Sequence, residues 1–194
     1  GTLNFIMNNF DDDFEIIDAL LTDEITPDIV ETLKLGVIVT KKDGTVIEKL
    51  SINDVIIGNN IMDWHHFTIN SEEKSFNQMN LKGTGICIST PLGSTAYNLN
   101  NRGMALPLDA NMISMTGISC DHRVNEILKP QDINITLSRS LHEPFVYVDG
   151  IATAIPLEMG DTVQIKKTTN VFKLAFLNKE DFFSKRMELV QKKR

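Results

Sequence analysis

Ser89-Thr90-Pro91-Leu92-Gly93-Ser94-Thr95-Ala96-Tyr97 brings four serine and threonine hydroxyls, a proline, a glycine and an aromatic ring into one short stretch. That mixture suits a ligand cradle better than a core. Pro91 fixes its own φ, Gly93 reaches backbone angles closed to other residues, and the small Ser94, Thr95 and Ala96 leave their N–H groups accessible. A helix starting near Thr95 would present those N–H groups and its dipole to an anionic or hydrogen-bonding ligand. The same residues also describe an ordinary strand–turn–helix junction with Ser94 as N-cap. Ser94 as a hydrolase nucleophile is a weaker reading, because Gly93-Ser94-Thr95-Ala96 lacks the second glycine of a nucleophile elbow.

Three other groups of residues could do chemistry. Asn53-Asp54 reads either as a polar pair at a ligand or as a turn before Val55-Ile56-Ile57. Asp149-Gly150 reads as a hairpin turn, with a carboxylate turned toward a ligand or a subunit interface as the alternative. His65-His66 near Asp63, and Asp121-His122, invite a metal; adjacent histidines on a strand point to opposite faces, which argues against one.

These residues need a sheet to hold them. Gly85-Ile86-Cys87-Ile88 is an apolar run leading straight into the hydroxyl-rich stretch, so the chain leaves a strand there. Further strands are predicted at 35–40 and 46–50, flanking the Lys42-Asp43-Gly44 turn, and at 52–57, 66–70, 112–116, 133–137, 145–148, 162–166 and 172–177. Gly1 to Met7 reads as a strand, Asp11 to Leu21 as a helix with its carboxylates at the positive end, and a second short helix is expected after Thr26-Pro27. The last residues, with Phe182, Phe183, Met187, Leu189 and Val190, read as an amphipathic helix. Many short strands at this spacing predict a β-sandwich or related closed sheet.

Composition sets outer limits. A net charge of −7 speaks against a nucleic-acid surface, which needs a basic footprint. No apolar run approaches the roughly 20 residues of a spanning helix, so no membrane is expected. Two cysteines without Cys-x-x-Cys spacing suit a reducing cytoplasm, with Cys87 as a small core residue.

The stretch from Ser89 to Tyr97, with Leu92 at its free position, closely resembles the signature of NAD kinases, the enzymes that phosphorylate the adenosine ribose of NAD to give NADP. Ile52-Asn53-Asp54-Val55-Ile56 is similar to that family's Asn-Glu motif, Val148-Asp149-Gly150 to its late Asp-Gly turn, and Gly1-Thr2-Leu3-Asn4-Phe5 to the strand crossing from its first domain. The resemblance spans essentially the whole chain. It implies a mainly β (α+β) fold: a β-sandwich-like C-terminal domain of the NAD kinase type, with an N-terminal helix and a C-terminal amphipathic helix. Residues 1–33 would be a crossover from an N-terminal α/β domain, 34–178 the β-rich NAD-binding and oligomerisation domain, and 179–194 a helix and tail returning toward the first domain.

The resemblance also implies partners and roles. NAD and NADP would be substrate and product, ATP or polyphosphate with Mg²⁺ the donor at a site outside this chain, and a homodimer or homotetramer the assembly. Asn53 would meet an adenine or ribose edge, and Asp54, where the family has Glu, the ribose hydroxyls. Thr95, Ala96 and Tyr97 would surround the adenine, while Asn100 and Asp149 are further candidates. Thr84 stands where the family carries the aspartate of a Gly-Asp-Gly, and Arg102 where it prefers glycine. The Gly-Gly-Asp-Gly segment that supplies the family's central aspartate is not in this sequence. Phosphorylation by this chain alone is therefore not expected. The rival readings are a non-catalytic nucleotide-binding or oligomerisation module and a lipid or diacylglycerol kinase relative; the adenine-side signature favours the dinucleotide.

Overall fold

A computed structural model describes residues 14–59, 63–71 and 78–177, together with residues 188, 190 and 191. The chain divides into two compact units, residues 1–31 with 173–194, and residues 32–172. In the first unit, α1 (Phe14–Leu21) is a short helix with Glu15 in its first turn. It ends where Asp23 takes a left-handed φ of 60° and the Ile25 N–H donates to the Ala19 carbonyl. Lys173 and Glu31 form an ion pair at 3.4 Å in the same unit. The predicted strand at 1–7 and most of the predicted C-terminal helix lie outside the described residues.

The second unit is built on one antiparallel sheet. Its strands are β1 (Asp28–Thr40), β2 (Val46–Ser51), β3 (Asp54–Gly58), β4 (His65–Ser71), β5 (Gln78–Ser89), β6 (Ile113–Cys120), β7 (Asn125–Leu128), β8 (Ile133–Arg139), β9 (Phe145–Val148), β10 (Ile155–Pro156) and β11 (Thr162–Phe176). They run in the order β10-β9-β3-β5-β4-β8-β11-β1-β2, with β6 on β5 and β7 on β6. Alternating β-branched and aromatic residues drive this arrangement: Phe67 and Ile69 of β4, Ile86 and Ile88 of β5, Ile135 of β8 and Val163 and Ile165 of β11 are all buried in one core.

Two expectations need correction. The segment after Thr26-Pro27 is the start of β1, not a helix: Ile29, Val30 and Thr32 are β-branched, and Val30 and Thr32 are buried in alternation. The strands expected at 162–166 and 172–177 are one continuous β11, because the polar Lys167-Thr168-Thr169-Asn170 between them stays extended at a sheet face. β7 and β10, four and two residues long, were too short to carry a pattern of their own. The predicted Asp-Gly hairpin is present between β1 and β2, with Gly44 at φ 90° and the Asp43 carboxylate accepting from the Thr45 N–H at 2.8 Å.

β5 organises the unit. Its first half, through Gly83, pairs with β4, and from Gly83 onward it pairs with β6, while Gly85 to Ser89 also pair with β3. The handover requires a residue without a side chain, since a Cβ on Gly83 would lie 2.4 Å from the Cys120 Sγ. Beyond this branch β5 delivers Ser89 directly opposite Asp54, so the hydroxyl-rich stretch begins beside the Asn53-Asp54 pair.

Candidate functional site

The backbone of residues 51–54 is gripped from two sides. On one side stands the Asp149 carboxylate. Its Oδ1 accepts from the Ser51 hydroxyl at 2.8 Å, the Asn53 N–H at 2.7 Å and the Asp54 N–H at 3.1 Å, and its Oδ2 accepts from the Ile52 N–H at 2.7 Å. Asp149 has a left-handed φ of 56°, followed by Gly150 at 134°, and its own N–H donates to the Asp54 carbonyl at 3.0 Å. Asp149-Gly150 turns the chain after β9, and the carboxylate serves the neighbouring Ser51–Asp54 turn.

On the other side stands Thr90. Its N–H donates to the Asn53 carbonyl at 2.9 Å, and its hydroxyl donates to the Ile52 carbonyl and accepts from the Gly93 N–H at 3.2 Å. Gly93 packs so tightly on this segment that a Cβ there would lie 2.1 Å from the Asn53 oxygen. This is why a glycine stands at the centre of the stretch: backbone meets backbone. Asn53 is thus held through both its N–H and its carbonyl, leaving its side chain at a cavity wall.

The remainder of the stretch is scaffold. Ser94 is fully buried, and its hydroxyl donates to the Pro91 carbonyl at 2.7 Å and accepts from the Leu106 N–H at 2.8 Å. No nucleophile is exposed there. Asn98, also buried, donates to the Ser94 and Met104 carbonyls and accepts from the Ser114 hydroxyl at 2.9 Å. Gly93–Thr95 form a single 3₁₀ turn, and the helix that follows, α2 (Tyr97–Asn100), has four residues and no side-chain cap. The expected dipole-bearing helix N-terminus and the Ser94 N-cap are both absent from this junction, because Ser94 spends its hydroxyl on tertiary contacts.

The cavity beside this corner has a volume of about 360 Å³. Six of the eight candidate residues line it: Asn53, Asp54, Thr84, Ala96, Tyr97 and Asp149. The other two do not. Thr95 is buried in the 3₁₀ turn, and Asn100 is exposed at the end of α2. The sequence reading missed Ile56, Gly58, Asn59, Ile118 and Tyr147 as cavity walls. For Ile56 and Gly58 the signal was available, since they share the Asp54 face of β3 by strand alternation. Tyr147 sits opposite Ile56 across the β3–β9 pair, a register only the structure supplies.

Electrostatically the cavity is acidic. Two aspartates line it, and its lining residues include no lysine, arginine or histidine. Asp54 is 7% exposed, and no hydrogen-bond donor reaches its carboxyl group among the described residues. Burial, reinforced by the nearby Asp149, pushes it up to about 6. The Tyr97 phenol is also raised, by burial and then by the neighbouring Cys87 and Asp54, and burial drives the Cys87 thiol strongly upward. Thr84 donates its hydroxyl to the Ile118 carbonyl at 2.9 Å, so it serves as wall and strand tie together.

The His122 ring meets the Asp121 carboxylate beside it at 2.8 Å, whereas His65 and Asp63 turn to other partners. The His65 ring bonds the Ser140 hydroxyl at 2.7 Å, and Asp63 accepts from the His142 N–H at 3.0 Å and meets its ring at 3.1 Å. Among the described residues no three His, Cys, Asp or Glu side chains are grouped to hold a metal ion. No helix among them is long and apolar enough to cross a membrane. Arg102 has a left-handed φ of 63°, which gives a backbone reason why glycine suits that position better.

Residues 36–177 match the family model of the ATP-NAD kinase C-terminal domain. The chain belongs to that family. It is 28% identical over 186 residues to an NAD kinase of Sulfurimonas denitrificans, covering 94% of this chain and 62% of that protein. It is 32% identical over 120 residues to an NAD kinase of Mesorhizobium japonicum, covering 61% and 44% respectively. The fold is shared with yeast NADH kinase complexed with NADH, at a TM-score of 0.83 and 22% identity, covering 98% of this chain and 56% of that one. An NAD kinase from Archaeoglobus fulgidus in complex with ATP superposes with a TM-score of 0.70 at 13% identity, covering 97% and 70%. The chain thus spans 62% and 44% of the length of the Sulfurimonas and Mesorhizobium NAD kinases. The mainly β, NAD kinase-type C-terminal domain expected from sequence is the fold observed.

Proposed function

We propose that this chain supplies the dinucleotide-binding part of an NAD kinase, which phosphorylates the adenosine-ribose 2′-hydroxyl of NAD to form NADP. The observation that carries the reading is the doubly held Asn53-Asp54 pair facing Tyr97 across a cavity without a cation. At about 360 Å³ the cavity is near the small end of ligand sites, roughly 300–1,000 Å³. It therefore takes one nucleoside half of a dinucleotide, and the absence of a lysine or arginine from its walls suits the uncharged half over the diphosphate. The Asn53 amide both donates and accepts, as a base or ribose edge requires. The Asp54 carboxylate accepts from ribose hydroxyls, and the Tyr97 ring, 40% exposed, offers a face to a base.

On this reading the β-rich domain at 34–178 binds NAD and mediates a homodimer or homotetramer, in the cytoplasm. The phosphoryl donor, ATP or polyphosphate with Mg²⁺, binds outside the cavity described here, as does the group that accepts the hydroxyl proton. A non-catalytic nucleotide-binding or oligomerisation module is the second reading, which the same cavity would serve. Both uses of the cavity require NAD or NADP binding. Isothermal titration of NAD into the folded chain tests it, with Tyr97→Ala and Asn53→Ala each expected to weaken binding about tenfold. Absence of affinity in a folded, assembled wild-type sample would overturn both.

A further inference from the structure

A carboxylate offers about four lone-pair directions. At Asp149 the donors are unevenly spread: the Ser51 hydroxyl and the N–H groups of Asn53 and Asp54 crowd Oδ1, which is saturated, while Oδ2 takes the Ile52 N–H and keeps one direction open. A ribose hydroxyl reaching Oδ1 would have to displace one of these charge-assisted bonds, which are about twice as strong as neutral ones. Asp54 is the opposite case, a buried carboxyl at the cavity wall with no donor among the described residues. Both belong to the same cavity, and the N–H of each residue bonds an oxygen of the other.

We propose that Asp149 is a positioning residue: it clamps the Ser51–Asp54 turn, sets the electrostatic field at the Asp54 carboxyl, and acts on a bound nucleoside through Asn53 and Asp54. This rests on the dinucleotide-binding reading of the cavity. The groups facing Asp54 are Asp149 from the turn after β9, Cys87 from β5, Tyr97 from α2 and Tyr147 from β9, none of them cationic. With Asp54 titrating near 6, the ionised acceptor forms as pH rises through that value, and nucleoside binding tightens with it. Asp149 is exposed, so its share of that field is open to screening by salt.

The test follows the Asp54 carboxyl by ¹³C NMR in the ligand-free full chain from pH 4 to 8, and NAD affinity by calorimetry over the same range. Asp149→Asn is expected to move the Asp54 midpoint to lower pH, to weaken NAD binding about tenfold, and to move the midpoint of binding with that of Asp54. Asp54→Asn is expected to weaken binding and flatten its pH profile, and the double variant is expected to be flat as well. Ser51→Ala, which removes one donor and keeps the charge, is expected to leave the midpoint in place. Should Asp149→Asn fail to fold, added salt should lower the Asp54 midpoint in the wild-type chain, and a midpoint indifferent to salt overturns the proposal. An unmoved Asp54 midpoint in folded Asp149→Asn also overturns it, as do independent, multiplicative losses of affinity in the double variant. A shifted Asp54 midpoint in a wild-type chain that does not bind NAD overturns the functional reading and leaves the clamp standing.

Discussion

Asp54 and Asp161 are both buried carboxylates in residues 32–172, 7% and 2% exposed, and they have opposite surroundings. Asp161 accepts from the Lys41 ammonium at 2.7 Å, the Lys42 N–H at 2.8 Å and the Glu158 N–H at 2.9 Å. Burial alone would raise it, but these donors outweigh burial and hold it below the usual carboxylate range. Asp54 meets the same burial with no donor and a second aspartate beside it, and is pushed up to about 6. One carboxylate has its partners within the fold and ties the β1–β2 turn to the start of β11. The other keeps its acceptor capacity at a cavity wall, which on the proposed function a ligand hydroxyl would use.

Removing Asp161 gives the largest expected effect. Asp161→Ala leaves Lys41, 19% exposed, with only the Pro156 carbonyl, and should destabilise the fold by about 3 kcal/mol in urea unfolding, with NAD affinity unchanged. A loss of NAD affinity in that variant would erase the distinction between the two corners. Next comes Gly93→Ala, whose Cβ would meet the Asn53 backbone at 2.1 Å. It should cost about 2 kcal/mol and displace Asn53, so stability and NAD affinity fall together.

The pH dependence separates the two aspartates by sign. Asp161, lowered in the fold, contributes stability above the ordinary value of 3.8 that is lost as pH falls through its folded value. Asp54, raised in the fold, carries a penalty that is absent below pH 3.8 and grows until pH passes about 6. Unfolding measured against pH for Asp161→Asn and Asp54→Asn, each subtracted from wild type, should therefore give differences of opposite sign. The smallest effect belongs to a position outside both corners. Arg102→Gly should stabilise by about 0.5 kcal/mol by relieving its left-handed φ, since Asn125 bonds only the Arg102 carbonyl.

What could be read from the sequence was local. The Asp43-Gly44 hairpin, β9 and the hydroxyl-rich turn after β5 each announce themselves within a few residues, and the Asn53 and Tyr97 candidates rode on short motifs. What could not be read was long-range. The clamp joins Asp149 to residues 95 to 98 positions earlier, and Asp161 reaches Lys41 across 120. Neither pairing leaves a trace in local pattern, so the sequence offers Asp149 only as a turn residue or ligand candidate and gives no sign of the Asp161–Lys41 tie. β1 was misread at its start because Thr26-Pro27 imitates a helix entry, while the β-branched residues behind it decide for the sheet. Ser94 was misread because an N-cap and a buried tertiary hydroxyl use the same residue type.

On the proposed function, Asp54 is held at a cost to the fold for the sake of a ligand. Asp54→Asn measures both sides of it at pH 7.5. Unfolding free energy is expected to rise by on the order of 2 kcal/mol, because a buried charge is removed, while NAD affinity by calorimetry is expected to fall about tenfold. A variant less stable than wild type, or one that binds NAD as tightly, would contradict it.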